Sequence, residues 1–173
     1  MSELIYSEKQ TYRNSIMIWV PLGVLFFFIY SFYRQYFLHL PFGNHPMSDT
    51  GFIFVLIGFI LFFVFFLSIT LETKINEKGI SVRFFPIQLN PTFYNWDELT
   101  KVEVVRYNPI LEYGGWGYRG FKNSYKRALN ISGNKGIKIY FFDGKSLLVG
   151  TQKSDDLKFI LSKIEKINTK FSY

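Results

Sequence analysis

The side chains most able to do chemistry lie between Asn108 and Lys153. Gly115-Trp116-Gly117-Tyr118-Arg119-Gly120 spells G-x-G-x-x-G, the spacing of a dinucleotide-binding turn. That turn works only between a strand and an opening helix, where N–H groups and the helix dipole meet a pyrophosphate. The residues that follow, FKNSYKRALNIS, carry no apolar helical stripe, so the dinucleotide reading is rejected. Gly144-Lys145-Ser146 has the end of a phosphate loop, but Ile139 stands where the earlier glycine is required. Asp143-Gly144 reads instead as a tight hairpin turn. Asn130-Ile131-Ser132 is a glycosylation sequon by pattern alone. No serine sits in a G-x-S-x-G elbow. Asp97/Glu98 falls at a turn and Asp155/Asp156 at a helix start, where structural roles explain both pairs. The chain has no cysteine, which excludes a thiol nucleophile, a disulfide, a Cys-ligated zinc and an iron–sulfur cluster. His39 and His45 lie in a Pro- and Gly-containing loop with few carboxylates nearby. The expectation is therefore no enzyme, no cofactor and no metal.

What remains is recognition. Tyr113, Trp116, Tyr118 and Arg119 stand among Gly114, Gly115, Gly117 and Gly120. From Tyr113 to Phe142 there is no acidic residue, while Arg119, Lys122, Lys126, Arg127, Lys135 and Lys138 fall within that stretch. Aromatics beside arginine are typical of binding surfaces. Thr151, Gln152 and Lys153 add hydrogen-bonding groups after the last strand. Two readings stay open. In one, these residues form a basic, aromatic surface for a lipid headgroup, a phosphorylated ligand or a partner protein. In the other, the loop is packed by its own aromatics and Thr151–Lys153 is only a strand-to-helix turn.

The elements that must position these residues divide the 173-residue chain in two. Gly51–Leu71 and Ile16–Tyr33 are uncharged, and each is about long enough to cross a bilayer core of about 30 Å. Tyr36–Leu38 can extend the first past Arg34. Trp19 at one end of the first run, with Tyr30, Tyr33 and Tyr36 at the other, fits interfacial aromatic belts. Spans at about 16–37 and 51–71 enclose an outside loop at 38–50 and follow an N-terminal cytoplasmic or interfacial segment, 1–15. Gly58 and Ser68 are candidates for close helix approach. Lys9 and Arg13 precede the first span, and Lys74, Lys78 and Arg83 follow the second. Positive-inside placement then puts both termini in the cytoplasm of a multi-pass inner-membrane protein. The whole net charge of +7 falls on residues 72–173, which have 17 Lys and Arg against 10 Asp and Glu. Such a domain is attracted to anionic headgroups.

After Leu71 the period changes to two. Ile80, Val82 and Phe84 alternate with Ser81 and Arg83, and Lys101–Tyr107, Arg127–Ser132, Ile137–Phe142 and Ser146–Gly150 read as further strands. Ser154 reads as a helix N-cap, with Asp155 and Asp156 in the first turn. Leu157, Ile160, Leu161, Ile164 and Ile167 make one apolar stripe, and Lys163, Lys166 and Lys170 sit towards the other end. The expected fold is a membrane α-helical hairpin plus an α+β domain, an antiparallel sheet or open barrel capped by one C-terminal helix.

With TKINEKGISVRF (73–84), the Trp96–Leu99 corner, GGWGYR (114–119) and ISGNKGI…DGKSLLVGTQKSDDL (131–157), this order resembles a pleckstrin-homology-like (PH-like) domain. Placed after two spans, it resembles small bacterial membrane proteins that carry such a domain. The resemblance implies fold and topology and brings no catalytic residues. The function expected is a non-enzymatic, membrane-anchored binding or scaffolding module at the inner face. The alternatives are a subunit or regulator of a membrane complex with a protein ligand, and an enzyme with an unrecognised site. Expected partners are anionic membrane lipid, a membrane protein or a second copy. Nucleic acid is not expected, because no recognition helix is evident.

Overall fold

A computed structural model describes residues 4–120 and 124–167, and side chains as far as Ile164. The chain forms two compact units, residues 12–68 and residues 1–11 together with 69–173.

In the first unit, α1 (Trp19–Tyr36) follows 3-10 turns at Tyr12–Asn14 and Ile16–Ile18, and α2 is Asp49–Ser68. Both are long and apolar enough to cross a membrane. Their pairing is aromatic: Phe28 meets Phe59 at 5.3 Å between ring centres, and Phe32 meets Phe52 at 5.9 Å. Gln35 Nε2 donates to the Met47 carbonyl (2.7 Å) and to Asp49 Oδ1 (2.8 Å), tying the connected end of the hairpin together. Within this single chain nothing lies within 4 Å of where a Cβ on Gly58 would stand, so Gly58 is not where α1 and α2 touch and its face is open. Ser31 is the buried small residue instead, with its hydroxyl on the Phe27 carbonyl. The second helix ends three residues before the expected span limit. Thr70 and Leu71 already belong to a strand.

Among the described residues the second unit has nine strands. β1 (Leu4–Thr11), β2 (Thr70–Asn76), β3 (Gly79–Phe85) and β4 (Thr92–Asn95) form an antiparallel sheet in that order. The N-terminal residues, expected as an interfacial segment, are thus a strand of the β domain. β1 runs opposite β2 from Leu4↔Asn76 to Thr11↔Thr70. A 3-10 corner at Trp96–Glu98 leads to β5 (Leu99–Arg106), the short helix α3 (Pro109–Tyr113), β6 (Gly117–Arg119), β7 (Lys126–Asn130), β8 (Lys135–Phe141) and β9 (Ser146–Gly150). These strands form a second sheet in the order β5-β8-β9-β7-β6. It is mixed, because β7 pairs in parallel with β9 while β8 forms the antiparallel hairpin with β9. The expectation of one antiparallel sheet or barrel is corrected accordingly: among the described residues there are two sheets and neither closes. A strand inserted next to the β8–β9 hairpin on the β9 side must run parallel to β9 if it enters from the loop before it, and periodicity carries no information on that choice.

Leu71, Ile75, Ile80, Val82 and Phe84 of the first sheet, and Leu129, Ile137, Ile139, Leu147 and Leu148 of the second, are buried. Phe84 meets Tyr118 edge to face at 5.9 Å, and Tyr94 meets Phe141 at 5.2 Å. α4 (Ser154–Ile167) buries Leu157 and Ile164. Ser154 opens the helix, but its hydroxyl takes Lys135 Nζ at 3.2 Å rather than a helix N–H. Of the basic residues expected late in the helix, the side chain of Lys166 and all of Lys170 lie outside the described residues.

One ion-pair cluster ties three strands together. Glu72 on β2 receives Arg83 of β3 at 2.7 Å and Lys9 of β1 at 3.4 Å. Burial pushes the Glu72 carboxyl up, but the hydrogen bond and charge of Arg83, then those of Lys9, outweigh it and hold the group below the usual carboxylate range. A depressed folded-state pKa gives stability that is present above the unfolded pKa of about 4.3 and is lost as pH falls through the folded value. Denaturation followed from pH 7 to pH 3 should show an acid loss that Arg83→Met makes shallower.

Candidate binding surface

The glycine-aromatic loop is assembled in steps. Asn108 caps α3, its Oδ1 accepting from Ile110 N and Leu111 N (both 3.1 Å), and Pro109 occupies the first turn. Gly114 ends the helix in the left-handed region (φ 72°), where a side chain is disfavoured. A Cβ on Gly115 would stand 2.9 Å from Arg119 Nη2, so glycine lets the guanidinium lie over the loop. Arg119 Nε donates to the Trp116 carbonyl (3.1 Å), and Trp116 Nε1 donates to the Gly133 carbonyl (3.0 Å). Beneath the loop, fully buried Asn130 accepts from Gly117 N (2.8 Å) and donates to the Tyr107 hydroxyl (3.0 Å). Burial pushes the Tyr107 phenol up, and the Asn130 bond opposes it. Tyr113 packs edge-on against Tyr107, and Lys126 Nζ lies 5.3 Å from the Tyr113 ring centre.

The ten expected residues therefore divide. Tyr113, Trp116, Arg119 and Lys126 stay together at the β6–β7 edge of the second sheet. Tyr118 and Arg127 turn inward: Tyr118 packs on Phe84, and the buried Arg127 guanidinium donates to its hydroxyl at 3.4 Å. Burial raises the Tyr94 phenol beside them, and the Arg127 charge opposes that rise. Thr151 and Gln152 belong to a different cluster. Thr151 Oγ1 and Tyr6 OH donate to Glu8 Oε2 at 2.7 and 2.6 Å, and Gln152 N donates to Glu8 Oε1 at 2.7 Å. Gln152 Nε2 also reaches the Ser132 carbonyl at 3.0 Å. These contacts fasten β1 to the end of β9. Lys153 is exposed, and Lys122 lies outside the described residues.

Sequence reasoning missed Tyr6, Glu8, Gln10 and Asn130. The first three alternate inward along β1, but two of them are polar, so a hydropathy pattern does not expose the strand. It also missed a shallow groove beside the loop, lined by Arg106, Asn108, Ile110, Glu112, Trp116 and Asn134 among others. Among the described residues, Arg106, Arg119 and Lys126 have no carboxylate within ion-pair distance. No group of three or more His, Asp or Glu able to hold a metal occurs among the described residues.

The chain combines two apolar helices long enough to span a membrane with a separate α+β domain of two sheets, the arrangement of a membrane-anchored β domain. Compared with known proteins, it matches no family model and no curated protein.

Proposed function

We propose that this protein is a two-span, inner-membrane binding module whose PH-like domain presents the Tyr113–Trp116–Arg119–Lys126 edge to anionic headgroups on the cytoplasmic side. The observation that carries the reading is that Arg119, held by the Trp116 carbonyl, and Lys126, over the Tyr113 ring, are exposed and lack an acidic partner among the described residues. A cation freed from pairing and placed on an aromatic surface is available to a phosphate oxygen. Topology supports the hairpin. β1 and β2 pair up to Thr11↔Thr70, so the chain between them must leave and return on one side, which an even number of crossings satisfies. The residues joining the helices, 37–48, hold no Lys or Arg, whereas Lys9, Arg13, Lys74, Lys78 and Arg83 flank the other ends, which supports cytoplasmic termini. The order of strands followed by a C-terminal helix supports a PH-like domain of bacterial type, with the parallel β7–β9 pair as a departure from that pattern.

A protein ligand is the second reading, favoured by Leu111 (84% exposed) and Ile110 (60% exposed) beside the groove. One experiment separates the two. The full chain is purified in mild detergent, and co-purified lipid and protein are identified. Arg119→Ala and Lys126→Ala should each lower bound anionic lipid about fivefold, the effect of about 1 kcal/mol per cation. Unchanged lipid overturns the headgroup reading. A stoichiometric protein lost on Trp116→Ala, with no lipid preference, makes this a complex subunit.

A further inference from the structure

We infer that the β3–β4 loop, Pro86–Pro91, is a shallow membrane anchor that rests its Ile87 and Leu89 side chains in the lipid interface. This rests on the reading that α1 and α2 span a bilayer. Within the β domain, Phe85 at the end of β3 lies opposite Thr70 at the start of β2. Only Ile69 separates Thr70 from the end of α2 at Ser68. Neighbouring strands are about 4.8 Å apart and the chain extends at most about 3.5 Å per residue, so Ile87 lies within about 12 Å of Thr70. The 20 residues of α2 rise about 30 Å, which just fills a hydrocarbon core. The residues after Ser68 are then in the headgroup layer, and the loop is held within reach of the same layer.

The loop's own chemistry suits that place. PIQLNP carries no charge, in a protein of net charge +7. Ile87 is 57% exposed and Leu89, two residues on, is 69% exposed. Backbone polar groups resist leaving water, and here several are already satisfied. Gln88 N donates to the Phe84 carbonyl (2.7 Å), while Phe84 N donates to Gln88 Oε1 (3.0 Å). Pro86 and Pro91 have no N–H to satisfy. A side chain spent on capping its own loop leaves the two aliphatic residues pointing out with nothing in the domain to cover them.

The chain has no native cysteine, so single-cysteine variants can be labelled at one site. Full-length Leu89→Cys, Ile87→Cys, Leu61→Cys and Glu77→Cys are labelled with an environment-sensitive fluorophore and reconstituted in vesicles. Quenchers are carried either just below the headgroups or deep in the acyl chains. Glu77 is exposed at the other end of the same strands, about 20 Å along β2 from Thr70. Positions 87 and 89 should be blue-shifted and quenched several-fold more than position 77 by the shallow quencher. Leu61, in mid-helix, should respond to the deep one. If 87 and 89 behave like 77 while 61 is deep, the anchor is overturned and the spanning reading survives. If 61 is not quenched, the spanning reading falls and the anchor with it.

Discussion

A chain in which residues 12–69 are replaced by Asn-Gly should fold as a stable, soluble β domain, and a chain beginning at residue 72 should not. Thr11 and Thr70 are the last paired residues of β1 and β2, so a two-residue turn spans the gap left by the helices. The joined chain keeps Tyr6, Glu8 and Gln10 on their partners. Residues 72–173 alone lose all of β1, and with it the Gln10 Nε2 bond to the Gly150 carbonyl (2.7 Å) and the three donors on Glu8. They also lose Leu71, a fully buried side chain whose removal alone is worth about 2–5 kcal/mol. Together these losses match a typical stability of about 5–15 kcal/mol. Circular dichroism and urea unfolding, with Trp96 and Trp116 as reporters, distinguish the two chains. Equal midpoints would mean that β1 is dispensable and that the domain starts after the second helix.

Glu8→Ala should be the most damaging exposed-to-solvent-looking substitution in the N-terminal strand. Glu8 is only 6% exposed and its carboxylate accepts three hydrogen bonds from β1 and the end of β9. Alanine removes the shared acceptor of the buried Tyr6 and Thr151 hydroxyls, leaving them only each other at 3.4 Å, and takes the partner of the part-buried Gln152 N–H. Each stranded group costs about 1–3 kcal/mol, offset in part by no longer burying a carboxylate, for a net loss of about 3 kcal/mol. That corresponds to a fall in melting temperature of about 10–15 °C for a domain of this size. Glu8→Gln keeps the shape and one acceptor oxygen, which can still take both hydroxyls, and should lose less. Burial, and then the bond to Glu8, push the Tyr6 phenol well above its ordinary range. For an acid whose folded pKa is raised, the neutral form is the stable one, so stability is lost as pH rises above the unfolded value of about 10. Tyr6→Phe should flatten that alkaline loss in the joined chain. An unchanged melting temperature in Glu8→Ala would overturn the role given to this cluster.

Legibility followed physical signal strength. The two apolar helices were visible because some twenty uncharged residues have few uses other than crossing a bilayer. The strands at Ile80–Phe84, Lys101–Tyr107, Arg127–Ser132, Ile137–Phe142 and Ser146–Gly150 and the helix from Ser154 were visible because period-two and period-3.6 burial leave apolar residues in register, whereas the short β4, α3 and β6 carry too few residues to show a period. The β1 strand was hidden, since its inward face is Tyr6, Glu8 and Gln10, and polar inward residues look like a solvated segment. The candidate site was half visible. Composition pointed to aromatic and basic residues between Tyr113 and Lys153. It could not separate Arg119, which lies over Gly115, from Arg127, which is buried against Tyr118.

The sequence by itself determined the division into apolar helices and a basic β-rich part, because composition and periodicity are local properties that a chain carries before it folds. Only the tertiary structure decided that residues 4–11 complete the domain across a 57-residue insertion, and that β7 lies parallel to β9. It also decided which cations face out. Those outcomes depend on contacts between residues far apart in the chain, such as Glu8 with Thr151, whose energies exist only once both ends are brought together.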